Sequence, residues 1–111
     1  MTNENHFCYL YLTCEDKNEA QKITQTLLEK HLIACAKFLP VDCKFWWEEA
    51  ITCGKEILVI MESRLDLFDE IEKVIAQLHS YETFVLEAIP VSRVSKKATE
   101  WMNEQLTTRK S

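Results

Sequence analysis

The stretch HFCYLYLT, from His6 to Thr13, carries apolar and aromatic side chains on both faces of an extended chain. Because side chains alternate along a strand, this pattern predicts a central strand covered by helices on one side and by something else on the other. Between Glu15 and His31, one helical face is apolar and consists of Ala20, Ile23, Leu27 and Leu28. The fold therefore begins with a predicted strand and an amphipathic helix.

The next part of the chain predicts two more strands. Ile33 to Trp47 favours β-structure, but Pro40 predicts a bulge or break because proline cannot donate to a strand ladder. Lys55 to Glu62 predicts the following strand, and Gly54 is the only glycine available to turn or kink its approach.

The last third predicts a helix, a strand and a short helix. A second apolar helical stripe runs from Leu67 to Leu78, a fourth strand from Phe84 to Val91, and a third helix from Val94 to Leu106. Two pairs of residues have capping-box spacing before the first two helices, namely Thr13 with Asp16 and Ser63 with Asp66.

This order of elements predicts the fold class. Two strand–helix–strand units around a central hairpin, plus a C-terminal helix, give an α+β ferredoxin-like sandwich with an antiparallel sheet. The helices cover one face of the sheet only. The other face keeps aromatic and aliphatic side chains, so we expect it to need a partner.

Length and charge exclude several classes of protein. A chain of 111 residues predicts a single domain, 1–111. The net charge of −5 argues against a nucleic-acid partner. There is no apolar run of about eighteen residues, so no membrane span is expected. Met1–Asn5 lacks the basic and apolar regions of a signal peptide.

The cysteine pattern predicts free thiols in a reducing compartment. The count is odd and no Cys-x-x-Cys pair occurs, which disfavours a disulfide framework and a structural zinc site. The protein is therefore expected to be cytoplasmic. The five positions are Cys8, Cys14, Cys35, Cys43 and Cys53.

Two short segments indicate an interface and a polar pocket. In Phe45-Trp46-Trp47-Glu48, the two indoles must point to opposite faces of a strand, so one is predicted to fill the core and the other to need a cover. A structural role is favoured over a ligand box, because tryptophan anchors interfaces. The segment His79-Ser80-Tyr81-Glu82 gathers an imidazole, a phenol and a carboxylate within four residues.

From about Tyr9 to Trp101, the chain resembles the CutA family of divalent-cation-tolerance proteins. The resemblance implies a ferredoxin-like fold, a tight homotrimer, a cleft between subunits, and an association with copper and other divalent ions. It is carried by Leu32-Ile33-Ala34-Cys35, Pro40, Trp46-Trp47-Glu48, Ile57 to Met61, Leu67-Phe68-Asp69-Glu70, His79-x-Tyr81-Glu82, Ile89-Pro90-Val91 and Trp101.

The departures from the family pattern favour a cation over an anion. The family usually has lysine where this chain has Ala50 and Glu62, so the implied cleft has lost two lysines and gained an acid. Glycine is usual in place of Val41, and proline in place of Ser80 and Phe84. A site that needs those lysines to hold an anion is disfavoured, whereas a cation site is not weakened.

The candidate metal ligands are His79, Glu82, Tyr81 and Cys35. Imidazole and thiolate suit copper, but Cys35 is also typical of a buried strand cysteine. His79 is equally consistent with a cap at the end of the second helix. Tyr81 and Glu82 either complete an oxygen-rich pocket or close the turn. The implied cleft or interface residues are Trp46, Trp47, Glu48 and Trp101.

Two classes of function stay open. One is a trimeric metal-binding tolerance protein without an obligatory cofactor, which binds Cu(II) or another divalent cation. The other is a trimeric scaffold resembling the PII signalling proteins, which presents loops to a protein partner or small effector. An enzyme is not expected. The loop Thr13-Cys14-Glu15-Asp16 has no glycine and two acids, so it would repel the phosphate that ferredoxin-like acylphosphatases bind.

Overall fold

The computed structural model describes residues 6–107, which form a four-stranded antiparallel sheet with helices. The sheet order is β2-β3-β1-β4, so the first strand is central, and the predicted α+β ferredoxin-like fold is confirmed. Met1–Asn5, the segment that was predicted not to be a signal peptide, lies outside the described residues. The elements are β1 (Phe7–Cys14), α1 (Lys17–Glu29), β2 (Cys35–Trp47), β3 (Ala50–Arg64), a 3-10 turn (Leu65–Leu67), α2 (Phe68–Leu78), β4 (Leu86–Pro90) and α3 (Lys96–Gln105).

The core lies between the helices and one face of the sheet. In β1, every second residue is almost completely buried, as the alternation of a half-covered strand requires. Burying one such aliphatic side chain stabilises the fold by about 1.5–3 kcal/mol. The residues of this layer include Cys8, Leu10, Leu12 and Cys14 of β1, Ala20, Ile23 and Leu27 of α1, and Ile71 and Ile75 of α2. None of the helices within residues 6–107 is long and apolar enough to cross a membrane.

The opposite face of the sheet is open. Strand pairing places Tyr9 beside Ile89 of β4, and Leu39 of β2 beside Leu58 of β3. Leu39 keeps 48% of its surface exposed, and Tyr9 and Ile89 are exposed as well. We call this surface the open face. Its apolar side chains are the uncovered layer that the sequence predicted.

β2 and β3 extend beyond the rest of the sheet as a two-stranded arm. They pair from Cys35 opposite Glu62 to Trp47 opposite Ala50, but β1 accompanies β3 only as far as Ile57. Residues 41–56 therefore project alone, and we call them the arm. They help to give the chain a long axis of 44 Å against 25 and 24 Å in the other directions.

The chain reverses at the tip of the arm between Trp47 and Ala50. Glu48 and Glu49 both adopt positive φ, 48° and 66°. A two-residue turn with two left-handed residues matches the twist of a β-hairpin. Asparagine and glycine occupy such turns most easily, so two glutamates here carry backbone strain.

Three predictions about the strands are wrong. Pro40 does not break β2, which pairs continuously past it, because β2 is an edge strand and tolerates a missing donor. Gly54 does not turn or kink the approach to the third strand: β3 begins at Ala50 and runs through it without positive φ. β4 covers Leu86–Pro90 only, because Phe84 leaves the sheet and stacks on the ring of His79.

Both capping-box predictions are also wrong. Helix α1 is capped by Asp16, whose carboxylate accepts the N–H of Glu19 at 2.9 Å. Before α2, the Ser63 hydroxyl is buried and donates to the Leu32 carbonyl at 2.6 Å, so it cannot cap a helix. Asp66 pairs with Arg64 instead.

The prediction that one of the tandem tryptophans fills the core is wrong for the subunit. Trp46 is 72% exposed and Trp47 57% exposed. Both lie on the arm, where β1 and the helices no longer accompany the strands. Neither indole has a second layer of the same subunit to pack against, so both need another surface to cover them.

Candidate functional site

His79 is a buried, fully hydrogen-bonded imidazole at the end of α2. It is the C-cap residue of that helix, and its side chain has no exposed surface. Nε2 lies 2.9 Å from the Thr13 carbonyl, and Nδ1 lies 3.0 Å from the backbone nitrogen of Tyr81. A carbonyl only accepts, so Nε2 carries the hydrogen and Nδ1 accepts the Tyr81 N–H. The predicted cap role of His79 is thus realised.

The carboxylate of Glu19 lies beside this imidazole. One oxygen accepts the N–H of Glu15 at 2.8 Å. The other accepts the N–H of Ser80 and lies 3.8 Å from Nδ1 of His79. Burial alone would raise the pKa of Glu19, but the hydrogen bonds and the nearby imidazole lower that pKa below its ordinary value. The group is therefore held as a carboxylate.

The thiol of Cys14 completes a cluster with these two groups. Its sulfur, one Glu19 oxygen and one His79 nitrogen all lie within 4.8 Å of one another. Burial, followed by the charges of Glu19, Glu56 and Asp16, raises the pKa of Cys14 to about 12. The thiol is protonated at neutral pH. We call these residues the Cys14–Glu19–His79 cluster; sulfur, nitrogen and oxygen donors together suit copper or zinc.

A second set of polar groups joins this cluster to the arm. The Tyr81 hydroxyl donates to Oε2 of Glu56 at 2.8 Å, and the Cys43 thiol donates to Oε1 of the same carboxylate at 3.3 Å. Burial and the bond to Glu56 raise the pKa of the Tyr81 phenol. Tyr81 therefore contacts His79 through its backbone N–H and its ring, and contacts the arm through its hydroxyl.

The single chain brings only some of the predicted ligands together. His79 and Tyr81 are in contact, whereas Cys35 and Glu82 are not members of the cluster. Cys35 lies on β2, where its thiol donates to Glu62 at 3.0 Å and burial raises its pKa to about 11. Glu82 is exposed and has no hydrogen bond or ion pair with residues 6–107. Their participation in a metal site stays a prediction.

Sequence reasoning missed Cys14 and Glu19. A usable signal existed for Glu19, because Asp16 and Glu19 have the Asp-x-x-Glu spacing of a helix N-terminus. No comparable signal existed for Cys14, because its position at the end of the first strand does not reveal its proximity to a helix that follows much later in the chain. That proximity depends on the end of β1 meeting the end of α2.

The sequence matches the family model described as CutA1 divalent ion tolerance protein over residues 8–105. The chain belongs to the CutA1 family. One relative, the divalent-cation tolerance protein CutA of Archaeoglobus fulgidus, is 35% identical over 96 residues. The matched region covers 86% of this chain and 94% of that relative. The family description names ion tolerance and no catalytic activity.

Solved CutA1 structures share the fold. A structure described as the periplasmic divalent cation tolerance protein CutA from Archaeoglobus fulgidus has a TM-score of 0.87 at 34% identity. The match covers 89% of this chain and 97% of that one. CutA1 from Oryza sativa has a TM-score of 0.91 at 21% identity, covering 97% and 100%, and shows the fold alone.

Proposed function

We propose that this protein is a homotrimeric, non-catalytic CutA1 protein of the cytoplasm that binds copper or another divalent cation at a cleft between subunits. The observation that carries the proposal is the Cys14–Glu19–His79 cluster, which places three metal-binding side-chain types within 4.8 Å of one another. The open face and the exposed arm support the trimer, because both leave apolar surface that a second copy would cover.

The cluster is expected to bind weakly and with a marked pH dependence. A cation at Nδ1 of His79 must displace the N–H of Tyr81, and Cys14 must lose a proton whose pKa is about 12. Both requirements reduce affinity, and the second makes binding stronger as the pH rises. Copper should bind more tightly than zinc, and zinc more tightly than manganese.

We further propose that Glu82 and Cys35 complete the coordination from neighbouring subunits. Glu82 is exposed, and Cys35 lies on the open face. Both are therefore placed where a second copy could bring them to a shared site. Trp46, Trp47, Glu48 and Trp101 would line the cleft; the three tryptophans are exposed in the subunit.

Calorimetry with Cu(II) and Zn(II) tests the metal site. The comparison uses a Cys53→Ser background, because Cys53 is an exposed thiol that could bind metal on its own. His79→Gln should weaken binding about tenfold or more. Binding to the parent should strengthen as the pH rises, because Cys14 must lose its proton to bind the cation. His31→Gln is the matched control, since His31 is an exposed histidine outside the cluster.

Equal binding by the parent and His79→Gln would remove His79 from the site. Cys14→Ser gives a second test that leaves the imidazole in place. If neither change alters binding, the cluster is a structural junction between β1, α1 and α2, and the metal-binding proposal fails.

A scaffold resembling the PII proteins is the second candidate. The observation that favours it is the projecting arm, with Trp46, Trp47 and Ile51 all exposed near its tip. In this role, the arm would contact a protein partner and the cluster would only fix the turn after α2. Absence of cation binding together with saturable binding of a nucleotide or other small effector would favour this alternative.

A further inference from the structure

The imidazole of His79 cannot turn to offer a free lone pair. Nε2 is held by the Thr13 carbonyl at 2.9 Å, and the ring is stacked on Phe84 with centroids 5.3 Å apart. Nδ1 is therefore the only nitrogen that can bind a cation without breaking this packing. The Tyr81 N–H already occupies it.

The neighbouring ligand atom also accepts a backbone N–H. The Glu19 oxygen that lies 3.8 Å from Nδ1 accepts the N–H of Ser80. Two consecutive backbone N–H groups thus bond to the two atoms that would hold a cation. Nδ1 has a single lone pair, which cannot serve an N–H donor and a metal ion at once, so cation binding must release the Tyr81 amide. The buried imidazole also becomes accessible only when this turn moves.

The Ser80–Tyr81 turn is tied to the base of the arm. The phenol of Tyr81 donates to Glu56, which pairs with Val41 at the point where the arm leaves the sheet. Glu56 also accepts the thiol of Cys43 on the facing strand. Displacement of Tyr81 would break the hydrogen bond that links the turn to this carboxylate.

We propose that Tyr81 couples cation binding to the arm: a cation at the cluster opens the Ser80–Tyr81 turn and releases the base of the arm from it. This inference rests on the proposed cation site and names its regulation. Coupling between two sites is reciprocal. A change that loosens the bond between Tyr81 and Glu56 must therefore strengthen cation binding, although it alters none of the three cluster residues.

The affinity test uses Zn(II) alone, in the Cys53→Ser background. Tyr81→Phe removes the phenol bond and keeps the ring, and we expect it to bind Zn(II) roughly fivefold more tightly or better. Glu56→Ala removes the acceptor of the same hydrogen bond and should also tighten Zn(II) binding. Tyr11→Phe is the control, since Tyr11 lies on β1 and its phenol has no hydrogen bond within residues 6–107.

Hydrogen exchange gives a direct second readout. Zn(II) should accelerate exchange of the Tyr81 amide and of the amides at the arm base, while the core of β1 stays protected. If Zn(II) binds but these amides remain protected and Tyr81→Phe binds no better than Tyr11→Phe, the coupling is overturned and the cation site survives. If no Zn(II) binds to the parent or to Tyr81→Phe, the cation site and the coupling are both overturned.

Discussion

Glu19 holds three parts of the chain together. Its carboxylate accepts the N–H groups of Glu15, before α1, and Ser80, after α2, and lies beside the imidazole of His79. We expect Glu19→Gln to lower the free energy of unfolding by about 1.5–3 kcal/mol near neutral pH, the usual range for hydrogen bonds to a charged group. Urea unfolding at constant protein concentration measures the difference.

The same substitution predicts a pH dependence. The pKa of Glu19 is lowered in the folded state, so folding favours the ionised form. Its contribution is complete above the unfolded pKa of about 4.3 and is lost as the pH falls through the lower folded-state value. The difference in the free energy of unfolding between the parent and Glu19→Gln should therefore disappear at acidic pH.

Glu29→Gln is the control for Glu19→Gln. Glu29 lies at the other end of α1 and accepts an exposed bond from Gln25. Glu29→Gln should change the free energy of unfolding only slightly at neutral or acidic pH. If the free energy of unfolding of Glu19→Gln stayed below that of the parent by the same amount from neutral to acidic pH, the charge of Glu19 would not be what stabilises the fold.

At the scale of an element, the arm turn is the most strained segment described. Glu49 has a φ of 66°, a conformation that costs a residue with a side chain about 1–2 kcal/mol. Glycine avoids this cost but loses about 0.5–1 kcal/mol of its own to unfolded-state entropy. Glu49→Gly should therefore stabilise the protein by a net ~0.5–1 kcal/mol, measurable as a higher Tm.

Glu49→Ala separates backbone strain from charge. Alanine removes the carboxylate but keeps the Cβ that makes the left-handed conformation unfavourable. It should leave the Tm well below that of Glu49→Gly. Equal stabilisation by the two variants would mean that repulsion between Glu48 and Glu49, and not the backbone, is the source of the strain.

The sequence predicted elements better than the connections between them. Apolar spacing in Ile23 and Leu27, or Ile71 and Ile75, follows the helical period, so the helices were found. The arm turn at Glu48 and Glu49 carries none of the glycine, asparagine or proline signals of a hairpin. The turn or kink was therefore predicted at Gly54, five residues beyond the observed turn. The break predicted at Pro40 is absent because β2 lies at the edge of the sheet, and the local sequence does not reveal which strand is an edge strand.

The candidate site was predictable only in its local part. His79 and Tyr81 are neighbours in sequence, and their proximity was foreseen. Cys14 and Glu19 reach His79 only through the packing of β1 and α1 against α2, and no short spacing encodes that. The engagement of Nδ1 by the Tyr81 N–H also depends on backbone geometry that residue types alone do not reveal.

For the whole molecule, the open face predicts the assembly. Leu39 is 48% exposed there. In the proposed trimer, Leu39→Lys should place an unpaired charge at an apolar contact between copies and shift the protein toward monomer. Sedimentation velocity at micromolar concentration measures the change. Leu28→Lys is the matched control, because Leu28 is 38% exposed but lies on α1. A parent that sediments as a monomer, or a Leu39→Lys variant that stays trimeric, would contradict this role of the open face.

The placement of the indoles also decides what an optical experiment can detect. The chain has three tryptophans, and Trp46, Trp47 and Trp101 are all exposed in the subunit. Their emission should respond to contact between copies and hardly at all to the loss of the subunit core. Circular dichroism follows the sheet and helices instead. If subunits separate before they unfold, the two spectroscopic transitions will not coincide, and no single midpoint will describe the denaturation of this protein.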